Sequence, residues 1–231
     1  MSLFDPIEII SFDCYGTLID WETGILRAVK PILNKYNVRL SDDTILETYG
    51  QIEAEVEAGP YRPYQEILRE VMLRLGEQYG IVLDRTEHNA IATSLPAWPP
   101  FHDTVASLKA LKSKYRLAII SNVDDDLFAG TNKLLGVTFD HIVTAAQVRA
   151  YKPSLWVFER AHDSFGCSKE TWLHTAQSLY HDHVPAKEFG LKTVWIDRRQ
   201  GRPSSGATPE AVASPDLTFP DLASLVRELG L

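Results

Sequence analysis

Four short clusters of chemically capable side chains punctuate this 231-residue chain: Asp13-Cys14-Tyr15-Gly16-Thr17, Ser121-Asn122, Lys152-Pro153, and Gln177-Ser178-Leu179-Tyr180-His181-Asp182. Carboxylates, hydroxyls, amides and a lysine are the parts from which nucleophilic and acid–base catalysis is built. Asp13 is the best placed of them. It ends the apolar run 7–12 and precedes a glycine-containing turn, so its carboxylate leaves the C-terminal end of a strand. In open α/β sheets that edge is where ligands bind.

The elements that must hold these clusters follow from periodicity. Short β-rich apolar runs at 7–12, 117–121, 141–144, 171–175 and 193–197 alternate with helical-period segments after residue 100, the pattern of a parallel sheet covered on both faces. The stretch from Leu18 to Thr93 contains no strand pattern and reads as helices over 23–36 (interrupted by Pro31), 41–58, 64–79 and 84–94. It is too long for a loop. The expectation is an α/β chain: a Rossmann-like parallel-sheet core formed by 1–17 and 96–231, and an all-helical cap inserted over 18–95, with 94–100 as a stiff, proline-rich return. The segment 198–216 reads as a loop, and its Arg198, Arg199 and Arg202 either sit in solvent or help to draw in an anion.

Composition narrows the function. A formal charge of −8 with no basic cluster outside Arg198, Arg199 and Arg202 argues against nucleic acid or an anionic membrane as partner. The two cysteines, Cys14 and Cys167, make no disulfide framework and no metal spacing, which suits a reducing cytoplasm. No window approaches the ~20 apolar residues of a membrane span, and the N-terminal stretch has no export pattern. His174, His181 and His183 invite a metal reading, but in an extended segment His181 and His183 would face one way and Asp182 the other. No metal and no cofactor are expected. Acids at Asp124-Asp125-Asp126 suit the first turn of a helix. Tyr15, Trp21 and Tyr180 either line an apolar pocket or pack beneath the inserted helices.

The ordered clusters, with a helical insertion after the first, resemble the haloacid dehalogenase superfamily and within it the L-2-haloacid dehalogenase-like branch, over nearly the whole chain. That resemblance implies Asp13 as a nucleophile attacking a saturated carbon, Thr17 as the hydroxyl orienting it, and Lys152 as a fixed cation that keeps it ionised. It implies Asp182 as the group positioning or deprotonating the hydrolytic water, with Asp182 as an ion-pair partner of Lys152 the plainer alternative. Ser121 and Asn122 become donors to the substrate carboxylate or leaving group, and Tyr15, Trp21, Gln177 and Ser178 substrate contacts. The implied partner is a small carboxylate substrate, and by resemblance alone a homodimer.

Phosphatases of the superfamily carry a second aspartate two residues after the nucleophile and an acid opening the fourth cluster. Here Tyr15 and Gln177 stand in those places, and a phenol is a poor proton donor at neutral pH. The expected activity is therefore metal-independent hydrolysis of a small 2-substituted carboxylic acid, led by 2-haloacid dehalogenation. Ring opening at carbon–nitrogen bonds of the azetidine-2-carboxylate type, a Mg²⁺-dependent phosphatase and a non-catalytic binding protein are the alternatives. The dehalogenases also place an arginine on an early cap helix to receive halide; the matching segment 47–51 has Gly50 nearest that position. Their later tyrosine is Phe158 here, and their fourth-cluster serine and asparagine are Gln177 and Leu179. Halide charge would then rest on Asn122, backbone amides or Arg62, or the leaving group is not halide.

Overall fold

The computed structural model describes residues 4–202 and 204–231; the expectations for residues 1–3 and for Pro203 of the 198–216 loop fall outside them. Six strands, β1 (Ile9–Phe12), β2 (Arg116–Ser121), β3 (His141–Thr144), β4 (Trp172–Ala176), β5 (Lys192–Ile196) and β6 (Leu217–Phe219), form one sheet in the order β3-β2-β1-β4-β5-β6. Every pairing is parallel. The last strand is an addition to the sequence expectation. Three residues are too few to show alternation, and β6 is fixed by its register on β5, Val194 against Leu217.

Both faces of the sheet are dry. In β1, Ile10 and Phe12 join one apolar cluster and Ile9 the other, which also takes Ala118, Ile120 and Phe158. This two-sided burial is why the strands read as unbroken apolar runs.

Five helices, α1 (Trp21–Lys35), α2 (Asp42–Glu57), α3 (Tyr64–Gln78), α4 (Arg85–His88) and α5 (Ala90–Ser94), intervene before α6 (Thr104–Lys112) leads into β2. Pro31 does not interrupt α1, contrary to expectation; the helix runs through it. The later crossovers use α7 (Asp125–Leu135), α8 (Ala145–Val148), α9 (Leu155–Phe165), α10 (Val184–Phe189) and the terminal α11 (Leu222–Glu228). Among the described residues no helix is long and apolar enough to cross a membrane.

Among the contacts that seat the inserted helices, one comes from the loop after β2. Asp124 stands at the N-cap of α7, yet its side chain caps a different helix: Oδ1 and Oδ2 accept the backbone N–H groups of Tyr64 and Gln65 at 2.8 and 2.9 Å, at the start of α3. A dipole role within its own helix therefore misses what Asp124 does. Another comes from the 198–216 loop. Arg199 is buried and donates to Glu22 and, at 2.7 Å, to Asp43, while Arg198 forks onto Asp103 at 2.9 and 3.0 Å. Neither arginine is a solvated surface group or free for an incoming anion.

Candidate active site

β1 lies between β2 and β4, while the chain leaves it for β2 on one side and returns through β4 on the other. At such a switch point the loops diverge and leave a crevice at the strand ends. Asp13 sits there, its N–H donated to Thr175 O of β4 at 3.2 Å. Gly16 follows with φ +93, and a Cβ there would meet Trp21 Nε1 at 2.8 Å, so the turn needs glycine to bring the Trp21 indole this close.

Two side chains hold the Asp13 carboxylate. Thr17 Oγ1 donates to Oδ2 at 2.9 Å, and Lys152 Nζ donates to Oδ1 at 2.8 Å. Thr17 Oγ1 in turn accepts the Gln177 N–H at 2.9 Å, so its own proton is directed at Asp13. Lys152 Nζ also donates to Asp182 Oδ1 at 2.7 Å and to Ile120 O at 3.0 Å, which uses all three of its protons. The lysine thus stands between the two aspartates, both buried.

Electrostatics follow from this arrangement. The two carboxylates overcome the burial of Lys152 and raise its pKa, so it stays an ammonium. Asp182 is held well below the ordinary carboxylate range: burial opposes, but the Lys152 charge and the His174 hydrogen bond prevail. Burial raises Asp13, helped by the neighbouring Asp182 charge and opposed by Lys152. A desolvated carboxylate pinned by one ammonium is a reactive nucleophile.

Behind Asp182 runs a buried relay. Trp172 Nε1 donates to Ser11 Oγ at 2.7 Å, Ser11 Oγ lies 2.8 Å from His174 Nδ1, and His174 Nε2 lies 2.9 Å from Asp182 Oδ1. An indole can only donate and an ionised carboxylate only accept. Every donor meets an acceptor when Ser11 donates to Nδ1 and the His174 proton sits on Nε2, aimed at Asp182. Sequence reasoning saw His174 only as a metal candidate; its true signal was its place inside β4, two residues beyond Trp172 and level with Ser11.

The cavity onto which Asp13 opens measures ≈ 30 Å³, room for one or two waters. Asp13, Tyr15, Trp21, Ser121, Asn122, Lys152, Ser178 and Asp182 of the sequence candidates line it together. Thr17 stands behind Asp13. Gln177 lines a neighbouring pocket with Arg198 and Arg199 instead of this one, and Tyr180 lies outside it. Asn122 lines the cavity with both amide protons engaged, on Glu57 at 3.1 Å and on Lys152 O at 3.0 Å, so it offers no free donor to a leaving group. Arg62 does not line the cavity. Tyr15 donates or accepts at Thr131 Oγ1, 2.8 Å away, and burial pushes its phenol well up.

Four residues that sequence reasoning passed over, Glu53, Glu57, Tyr64 and Thr208, complete the lining together with His181, which it weighed only as a metal ligand. Tyr49 and Tyr64 donate to Glu53 Oε1 at 2.6 and 2.5 Å. Burial raises Glu53 to about 7 and Glu57 well above its usual range, and lowers His181 to about 4. The segment Leu179–His183 is a π-helical turn, not extended chain, so the expected alternation of its histidines does not apply. At the position nearest the expected halide arginine, a Cβ on Gly50 would lie 2.5 Å from the Ala207 backbone.

The family model for haloacid dehalogenase-like hydrolases matches residues 10–196. Haloacetate dehalogenase H-2 of Moraxella sp. is 27% identical over 97% of this chain and 99% of its own length. A glyceraldehyde 3-phosphate phosphatase of Methanothermobacter thermautotrophicus is 33% identical over 83% of this chain and 86% of its own. Among solved structures, the L-2-haloacid dehalogenase of Xanthobacter autotrophicus with chloropropionic acid covalently bound superposes with a TM-score of 0.81 at 20% identity, covering 97% of this chain and 98% of that one.

Proposed function

The chain belongs to the haloacid dehalogenase-like hydrolases, and from that membership we propose that it hydrolyses a small 2-substituted carboxylic acid through an ester on Asp13, with 2-haloacid dehalogenation the leading activity. The observation that carries this reading is the Lys152 ammonium held between Asp13 and Asp182 at 2.8 and 2.7 Å.

In the first step an Asp13 oxygen attacks the substituted carbon from the side opposite the leaving group. The C–O bond forms as the carbon–substituent bond breaks, and the leaving group departs with the electron pair. Thr17 and Lys152 hold the carboxylate so that the attack costs little reorganisation. In the second step water adds to the Asp13 carboxyl carbon. Asp182 Oδ1 is committed to Lys152 and His174, whereas its Oδ2 is buried without a partner and available to take the water proton. Lys152 stabilises the oxyanion; when it collapses, the bond between the Asp13 carboxyl carbon and the product oxygen breaks, and the proton held by Asp182 passes to that oxygen, giving the 2-hydroxy acid and restoring both carboxylates.

One turnover in ¹⁸O-water tests this. Label is expected in the Asp13 carboxylate, and labelled product from unlabelled Asp13 would refute the ester.

The phosphatase relative supports a second reading, metal-dependent phosphoryl transfer. The side chains argue against it: Tyr15 replaces the acid that would protonate a leaving oxygen, Gln177 offers an amide where a carboxylate would bind Mg²⁺, and the remaining two acids already share the Lys152 ammonium. Phosphate release from a phosphate-ester panel that Mg²⁺ stimulates and EDTA abolishes would favour this second reading.

A further inference from the structure

The cavity in front of Asp13 carries an excess of acid. Glu53 and Glu57, one turn apart on α2, line it together with Asp13 and Asp182. Lys152 is the only lysine or arginine among the described residues that line it, and its three protons are all engaged. A plain 2-haloalkanoate would bring a further carboxylate into this space with no free cation to meet it.

The same space presents unsatisfied groups. Ser121 Oγ, His181 Nε2 and Asp182 Oδ2 are buried and have no hydrogen-bond partner, although each residue lines the cavity. His181 Nε2 lies 3.9 Å from Glu57 Oε2, too far for a hydrogen bond. Glu53 is held through Oε1 alone by the two phenols. Two phenols donating to one oxygen fix it as an acceptor and favour the ionised carboxylate, against the burial that opposes it. The raised pKa values of both glutamates fit: burial is the first cause, and a cation beside them would offset it by favouring the charged form.

We propose that Glu53 and Glu57 form an ammonium-binding subsite, and that the molecule attacked by Asp13 is a zwitterion: a 2-substituted acid with a protonated amine on the carbon next to its reacting carbon. This rests on the reading of Asp13 as nucleophile toward that carbon. The ammonium sits on the glutamates, and the Ser121 hydroxyl donates to the carboxylate.

The test uses an unreactive pair of equal size, 3-aminopropionate and butyrate, which differ in NH₃⁺ against CH₃. By calorimetry the wild-type enzyme is expected to bind 3-aminopropionate about tenfold more tightly or better, the size of one good charge-assisted contact. Glu53→Gln/Glu57→Gln should bring the ratio to about one, and should the double variant fail to fold, Glu57→Gln alone should lower it by at least about threefold. Equal affinities, no binding of 3-aminopropionate, or a ratio unchanged in the variants overturns the subsite. Turnover of 3-amino-2-chloropropionate against 2-chlorobutyrate separates this from the reaction itself. If neither releases chloride while the binding preference stands, the dehalogenation reading fails and the subsite survives. Release from both without preference for the amine sinks the subsite alone.

Discussion

His174 and Lys152 converge on a single oxygen: Nε2 of the one lies 2.9 Å, and Nζ of the other 2.7 Å, from Asp182 Oδ1. Two donors on one oxygen fix the carboxylate plane and leave Oδ2 as the oxygen turned to reaction. His174 touches no part of the cavity, so it acts as a positioning residue through Asp182.

Replacing His174 with Phe keeps the bulk and removes the donor. Asp182 can then rotate, and hydrolysis of the ester should slow by roughly tenfold or more, while attack by Asp13 is little changed. A pre-steady-state burst of released leaving group, followed by slow turnover and an alkylated Asp13 in the mass spectrum, is the expected signature. His174→Gln, which restores an N–H, should recover part of the second phase; equal loss in both phases would remove His174 from the mechanism.

Lys152 is the ammonium that two buried aspartates share. Lys152→Met leaves them facing each other and should cost about 3–5 kcal/mol of stability as well as the activity. Adding Asp182→Asn should recover much of the stability and none of the activity, because the repulsion goes while the oxyanion still lacks its cation. Urea unfolding of Lys152→Met, of Asp182→Asn alone and of the double variant measures the pattern; additive effects would show that the pair is not coupled.

Asp124 ties the inserted helices to the loop after β2 by capping α3. Asp124→Ala should cost roughly 1–2 kcal/mol, with faster hydrogen exchange at the Tyr64 and Gln65 amides specifically. Faster exchange at the start of α7 instead would mean that the carboxylate serves its own helix after all.

Glu53 sets a pH dependence. Its pKa is about 7 when folded against an ordinary 4.5, so between these values the folded chain keeps a proton that the unfolded chain has released. Below about 4.5 the group is neutral in both states, and above about 7 it is charged in both and the folded state carries the full penalty. Stability therefore falls as pH rises through that window, by up to roughly 3 kcal/mol. Glu53→Gln, whose amide oxygen can still accept both phenols, should be more stable than wild type at pH 8 and about equal at pH 4.5. Chemical denaturation at the two pH values decides it; the same difference at both would show that the burial carries no charge penalty.

The sheet and the first line of chemistry were legible because both are written locally. Apolar runs ending in Asp13, Ser121 and the Gln177–Asp182 cluster announce strand ends, and strand ends on a parallel sheet share an edge. Lys152 could be assigned only by resemblance, since nothing in Tyr151-Lys152-Pro153 says that its ammonium reaches two aspartates. Glu53 and Glu57 were hidden for a different reason. On an amphipathic helix a glutamate reads as solvated surface, and it is the way α2 lies across the strand ends that turns these two inward. Likewise the Ser11–His174 contact spans 163 residues of chain and exists only through the pairing of β1 with β4.

Gly50 bears on how this enzyme could change. With the Ala207 backbone 2.5 Å from where its Cβ would stand, arginine cannot be introduced there while the loop keeps its course. The loop in turn is anchored to α1 and α2 by Arg199 through Glu22 and Asp43. A switch toward a halide-receiving cation is therefore not one substitution away. Glycine and loop must be exchanged as a block, and any lineage that took one half of that exchange first would pass through a poorly packed protein.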